Sequence, residues 1–144
     1  MRTKLLHESD GLRTLAVILD TGEEVLASLK EVATREKLTA AQITAIGAFS
    51  DATLGYFDWE KKEYLKNPVK EQVEVVAMLG DIGEEDGKPA LHVHLVLGRR
   101  DGTALGGHLL EAHVRPTLEV IITESPAHLS RRKDAATGLA LIRF

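Results

Sequence analysis

The feature that most constrains the fold is a series of short β-prone segments interrupted by a single segment of helical periodicity. Residues 23–37 space their apolar side chains along one helix face: Val25, Leu26, Leu29, Val32 and Ala33. Acidic residues open this segment and basic residues close it, an order that the helix dipole favours. The pattern predicts one amphipathic helix with Thr21 as its N-cap.

The remaining regular segments are typical of strands, because they are short, rich in β-branched residues and bounded by turn residues. They cover residues 12–19, 42–49, 52–59, 73–79, 90–97, 104–110, 118–123 and 139–143. Between them, we predict a hairpin turn at residues 58–63, a break at Asn67-Pro68 and an exposed loop at 80–88. One main helix among many strands predicts an α+β fold on a mostly antiparallel sheet, with residues 1–144 as a single domain.

Composition and charge argue against several classes of protein. The 144 residues carry a net charge of −4, whereas nucleic-acid binders are usually basic, and the triplet Arg131-Arg132-Lys133 is interpreted as a solvated turn. The chain has no segment long and apolar enough for a membrane span, and residues 1–8 become polar too early for a signal peptide. With no cysteine, the chain fits a reducing compartment, so we expect a cytoplasmic protein without a membrane partner.

The chemically informative segment contains three histidines, His92, His94 and His108. Residues two apart on a strand point to the same face, so His92 and His94 should project together, roughly 6.5–7 Å apart along the strand. If residues 100–102 form a three-residue loop with Gly102 in the left-handed conformation, His94 lies opposite His108 and all three share a face. A two-residue Asp-Gly turn would instead turn His108 away.

We favour the three-residue loop, because its glycine falls where the bulge needs one and Gly106 then lies on the histidine face. Three neutral imidazoles with an open fourth position suit Zn²⁺ well, and other divalent ions less selectively. The alternative is that these histidines are ordinary, half-buried residues with hydrogen-bond partners. His7, His113 and His128 are expected to face solvent, provided that the strand carrying His113 is regular.

The same residues carry a resemblance to a known family. The run His92-Val93-His94, Arg100-Asp101-Gly102 and Gly106-Gly107-His108-Leu109-Leu110-Glu111 resembles the core motif of the plants-and-prokaryotes-conserved (PPC) domain. Residues 47–58, Glu119 and residues 137–141 resemble other parts of the domain, so the similarity spans roughly residues 12–144. The chain is similar to the stand-alone prokaryotic type.

The resemblance implies an α+β domain that assembles as a homotrimer and holds a metal ion at His92, His94 and His108. Plant members combine the domain with an AT-hook in nuclear, DNA-associated regulators. Here no Arg-Gly-Arg-Pro hook occurs, and only Glu74 of residues 71–76 matches the plant partner-recruiting segment. Many relatives carry glycine after the position of Glu111, where this chain has Ala112-His113, so a bulge bringing a fourth histidine near stays open.

Three functions follow from these patterns. The first is a homotrimeric module that binds a metal ion, zinc above all, or an unknown small ligand, with a regulatory or DNA-associated role by resemblance. The second is a metal-dependent enzyme of hydrolase or lyase type that uses a metal-bound water. The third is direct binding of nucleic acid, which the acidic composition and the missing hook disfavour.

Overall fold

Nine strands and one helix follow each other along residues 1–143, the part of the chain that the computed structural model describes. In chain order they are β1 (Arg2–Ser9), β2 (Leu12–Asp20), α1 (Val25–Arg35), β3 (Ala41–Asp58), β4 (Glu63–Val69), β5 (Val73–Glu85), β6 (Lys88–Gly98), β7 (Ala104–Glu124), β8 (Ser130–Lys133) and β9 (Ala140–Arg143). The predicted class, mostly antiparallel sheet with one helix, is confirmed.

The strands form one sheet in the order β1-β2-β7-β3-β5-β8-β9. Strand β4 is added to β3, and β6 pairs with both β5 and β7. As a result, β3, β5, β6 and β7 form a closed circuit of hydrogen-bonded neighbours. All strand pairings are antiparallel among the described residues, except for a single parallel bridge between Glu84 and Ser130.

Helix α1 begins at Val25, two residues later than the sequence pattern predicts. Its N-cap is Glu24, whose carboxylate accepts hydrogen bonds from the backbone N–H groups of Leu26 and Ala27 at 3.2 and 2.6 Å. The prediction of Thr21 as N-cap is wrong, because its hydroxyl donates to the carbonyl of Pro116 instead. The helix buries one apolar face, formed by Val25, Leu29, Val32 and Ala33.

The core lies between this helix face and one face of the sheet. Alternation along the strands places Phe49, Met78, Leu97, Leu118 and Ile122 on the buried side, each completely or almost completely inaccessible to solvent. The opposite side of the sheet, here called the outer face, carries the side chains that alternate with these buried ones along each strand. The three histidines lie on that outer face, so the core holds the strands in place without enclosing the site.

Several strands are longer than the sequence indicates. Strands β3 and β7 run unbroken for 18 and 21 residues through segments that we had divided. Residues 80–88, predicted as an exposed loop, mostly belong to the β5–β6 hairpin, and only Asp86 and Gly87 form its turn. Pairing of Glu85 with Lys88 satisfies the backbone here, so acidic composition and glycines did not stop the strand.

Two more local predictions are wrong, and one strand was not predicted. The N-terminal segment forms β1, which pairs with β2 although its pattern is largely exposed. Pro68 does not break β4, because β4 pairs with β3 alone and proline is tolerated on such an edge. The triplet at Arg131 forms part of β8 and not a solvated turn. No helix in residues 1–143 is long and apolar enough to cross a bilayer.

Candidate metal centre

The hairpin between β6 and β7 has the register on which the histidine cluster depends. The N–H of Arg99 donates to the carbonyl of Thr103 at 2.8 Å, and Gly102 has a φ of 83°, as the three-residue loop requires. His94 therefore lies directly opposite His108. The predicted register is confirmed, and the two-residue alternative is excluded.

The three imidazole rings converge on the outer face of the sheet. Their ring centroids lie 4.9 Å apart for His92 and His94, 5.3 Å for His92 and His108, and 5.2 Å for His94 and His108. One ring nitrogen from each lies within 4.8 Å of the other two, and no other group in residues 1–143 brings three such ligand atoms together. The Nε2 atoms of His92 and His94 are 3.1 Å apart.

The surroundings keep at least two of these rings in the neutral form that binds metals. Burial lowers the pKa of His108 to about 4, and the neighbouring rings of His92 and His94 contribute to this shift. Burial also lowers the pKa of His92, with further contributions from Arg131 and His94 that outweigh the opposing effect of Asp81. Neutral imidazoles offer a lone pair at neutral pH, as a metal ligand must.

The residues fit a bound divalent cation. Nitrogens held at roughly 2.0–2.1 Å by a tetrahedral zinc ion lie about 3.3 Å from each other, close to the 3.1 Å between the Nε2 atoms of His92 and His94. Nδ1 of His108 is buried and has no hydrogen-bond partner in residues 1–143. A buried polar atom without a partner is costly, and a ligand at this position would remove that cost.

Tyr64 of β4 supports His108 from one side. The two rings are stacked with centroids 4.6 Å apart. Gly55 of β3 lies opposite His108, and a Cβ atom there would come within 2.8 Å of the Tyr64 ring. Because Gly55 has no side chain, the ring of Tyr64 can lie over this strand and stack on His108. Sequence analysis did not identify Tyr64, because the pairing of β4 with β3 that brings it to His108 joins segments that local periodicity does not connect.

An ion pair also lies beside the cluster. Asp81 of β5 is directly opposite His92, and its carboxylate accepts a hydrogen bond of 2.5 Å from Arg131 of β8. The side chain of Arg131 is only 6% exposed. Neither residue was predicted for the site, because Asp81 belonged to the supposed loop and Arg131 to the supposed turn.

The remaining candidate residues lie outside the cluster. His7 and His128 are exposed, as predicted. His113 bonds through Nδ1 to the carboxylate of Asp51 at 2.9 Å. The regular strand assumed for it does not exist, because Leu109 and Ala112 are both buried although they are three residues apart. This bulge brings His113 back toward the outer face, but not into the group of ligand atoms.

Next to the histidines, the outer face is apolar and uncovered. Its side chains are between 38% and 60% exposed, and they come from four strands: Ile46, Val76, Leu79, Val96 and Ile121. Leu79 lies opposite His94, so the apolar surface reaches the cluster. Such a contiguous exposed surface is typical of sites where another molecule binds.

Comparisons with known proteins agree with this architecture. A metal-containing protein from Archaeoglobus fulgidus is 33% identical, with 100% of this chain and 99% of that chain covered and a TM-score of 0.85. A plant- and prokaryote-conserved (PPC) protein from Pyrococcus horikoshii is 32% identical over 96% of this chain and 98% of that chain, with a TM-score of 0.86.

A protein from Bacteroides thetaiotaomicron that is described as a candidate DNA-binding protein is 25% identical, with 96% and 95% of the two chains covered and a TM-score of 0.86. A search among curated proteins found no match. The Plants and Prokaryotes Conserved (PCC) domain, the family called PPC above, matches residues 6–126. Its match covers most of the chain, and the protein therefore belongs to this family.

Proposed function

We propose that the protein is a homotrimeric metal-binding module in which His92, His94 and His108 hold a divalent cation, zinc in preference to others. The observation that carries this proposal is the convergence of three ring nitrogens within 4.8 Å on one exposed face. A zinc ion held by three imidazoles supplies a positive, Lewis-acidic centre with a coordination position open to a further ligand. In this proposal residues 1–144 act as one domain.

Metal analysis of protein purified without a histidine tag tests the site. We expect about one zinc ion per chain in the unaltered protein and almost none in the His94→Ala variant. His128→Ala is the matched control, because His128 is exposed and lies outside the cluster. Equal metal content in the unaltered protein and in His94→Ala would contradict the proposal.

Self-association is supported by the apolar outer face, which a single chain leaves open to water. The number three comes from the family resemblance. Sedimentation equilibrium should give a trimer for the unaltered protein and a smaller species for Val76→Glu, which puts a charge on this face. Leu6→Glu, on β1, is the control for adding a charge at another exposed apolar position. A monomeric unaltered protein would overturn the assembly.

A metal-dependent hydrolase or lyase is the alternative, and one observation favours it. Glu85 lines the cavity beside His92 and His108, where a carboxylate could accept a proton from a bound substrate. Glu111 and Glu119, the acidic residues of the family resemblance, do not line that cavity. Hydrolysis of an activated ester by the zinc-loaded protein, lost in Glu85→Gln but not in Glu84→Gln, would support the enzyme.

A DNA-associated role is supported by the relative from Bacteroides thetaiotaomicron. The basic triplet offers little to phosphates, because Arg131 is buried in its pair with Asp81 and only Arg132 and Lys133 are exposed. We therefore propose any such role as indirect. Because contacts to phosphates weaken steeply with ionic strength, the protein should be released from immobilised duplex DNA at moderate salt. Tight retention at about 200 mM salt would contradict an indirect role.

A further inference from the structure

A small cavity next to the histidines points to a ligand beyond the metal ion. Its volume is about 160 Å³, and His92 and His108 form part of its wall. The tyrosine that stacks on His108, Tyr64, lies beside them. Leu91, Leu139 and Leu141 add apolar side chains to the lining. A ligand that fills this space needs a polar end and a hydrocarbon end.

Arg131 also lines the cavity and brings a guanidinium to it. Its Nη1 donates to the carbonyl of Ala140 at 2.9 Å, and its Nη2 donates to Asp81 at 2.5 Å. A guanidinium has five N–H donors, so three of them have no partner in residues 1–143. Nε is one of these three and is buried. A nearly buried cation with unfilled donors is a favourable partner for an anionic oxygen.

The charges around the cavity favour an anion once the metal site is filled. Asp81 offsets the charge of Arg131, and neutral imidazoles do not offset the charge of a divalent ion. Glu85, which also lines the cavity, opposes an anion but compensates only part of that charge. The net charge around the cavity therefore remains positive when the metal ion is bound. This conclusion rests on the metal centre proposed above.

We propose that the cavity binds a small organic monocarboxylate, with its carboxylate between the metal centre and Arg131 and its hydrocarbon part against Leu91, Leu139 and Leu141. The volume corresponds to about five water molecules. Such a space suits an acid of about four to six carbon atoms.

The test uses isovalerate as the probe, with its neutral amide isovaleramide and the shorter acid acetate for comparison. Titrations of zinc-loaded protein are followed by calorimetry and by amide chemical shifts. We expect isovalerate to bind about tenfold more tightly than either comparison compound, since one lacks the charge and the other lacks the hydrocarbon. Equal binding of isovalerate and isovaleramide would overturn the proposal.

Two variants locate the probe. Arg131→Gln should weaken isovalerate binding by about tenfold or more with zinc content unchanged, whereas Arg132→Gln, which alters the exposed neighbour, should have almost no effect. Ala90→Leu fills the cavity and leaves Arg131 in place, so it should also weaken binding. Glu85→Gln should strengthen binding a few-fold. Unchanged affinity in both Arg131→Gln and Ala90→Leu would place the probe elsewhere and refute the proposal.

The two proposals can fail separately. If zinc is absent but isovalerate still binds more tightly than its amide and depends on Arg131, the metal centre fails, and the carboxylate is held through Arg131 and not through the charge of a metal ion. If zinc binds to His92, His94 and His108 but isovalerate shows no saturable binding, the metal centre stands and the carboxylate pocket fails.

Discussion

His108 and His113 lie five residues apart on β7, yet their surroundings change their chemistry in opposite directions. His108 is half-buried among two other imidazoles and the ring of Tyr64, and burial lowers its pKa to about 4. His113 bonds to Asp51, and this hydrogen bond raises its pKa. Glu111 and Glu24 add to the increase through their charges.

The comparison shows that a histidine's role is set by its neighbours across the sheet and not by its position along the strand. Neighbouring imidazoles and burial favour the neutral ring, which can bind a metal ion. A carboxylate favours the protonated ring, which cannot. The bulge between Leu109 and Ala112 separates the two environments by moving His113 toward β3 and Asp51.

The largest difference between His108 and His113 is expected in how much each contributes to the affinity for zinc. His108→Ala removes one of three proposed ligands, so zinc affinity should fall by about 100-fold or more. His113→Ala, on the same strand, should change zinc affinity less than about twofold, because its ring is paired with Asp51. Competition with a fluorescent chelator measures both. Similar losses in the two variants would remove the distinction between the two sites.

The second difference is expected in the titration of the metal-free protein, followed by NMR of the imidazole protons. The ring of His108 should titrate near pH 4, and the pKa of His113 should lie above the ordinary histidine value of 6.5. Asp51→Asn should return His113 toward 6.5 without affecting His108, because the aspartate is the main cause of the shift. Two curves that coincide near 6.5 would contradict the assigned environments.

A third, smaller difference concerns stability as a function of pH. The folded-state pKa of His108 is lower than its unfolded value, so the unfolded chain binds a proton first as pH falls from 6.5 to 4. Stability should therefore fall over that range, with a contribution from His108 of at most about 1.4 kcal/mol per pH unit. Urea unfolding of metal-free protein should show a shallower pH dependence for His108→Gln than for the unaltered chain.

The smallest effect is expected for the ion pair of His113. The raised pKa means that its contribution is complete below pH 6.5 and is lost as pH rises through the folded-state value. Since both partners are partly exposed, Asp51→Asn should lower the free energy of unfolding by only about 0.5 kcal/mol at pH 6. At pH 9 the difference should shrink. A larger loss at pH 9 than at pH 6 would reverse the predicted sign.

The histidine register could be predicted because its determinants are local. Gly102 falls at the bulge position of a three-residue loop, and counting two residues per repeat from that loop brings His94 opposite His108. The helix at residues 25–35 was predicted for the same reason, since its apolar spacing lies within one short segment. The N-cap of this helix could not be predicted, because the side chains of both Thr21 and Glu24 can cap a helix.

The residues around the histidines could not be predicted, because they arrive from distant parts of the chain. Tyr64 reaches His108 through the added strand β4, and Arg131 reaches Asp81 across 50 residues of sequence. Residues 80–88 were misinterpreted because a charged, glycine-rich segment has the composition of a loop even when a neighbouring strand pairs with it.

The sequence alone determined the strand-rich class and the single helix, and it favoured the pairing of His94 with His108, since each depends on spacing over a few residues. Only the tertiary structure decided which groups surround those histidines: the closed circuit of β3, β5, β6 and β7, the bulge before His113, and the burial of Arg131. These features depend on contacts between segments far apart in the chain, and local periodicity carries no information about such contacts.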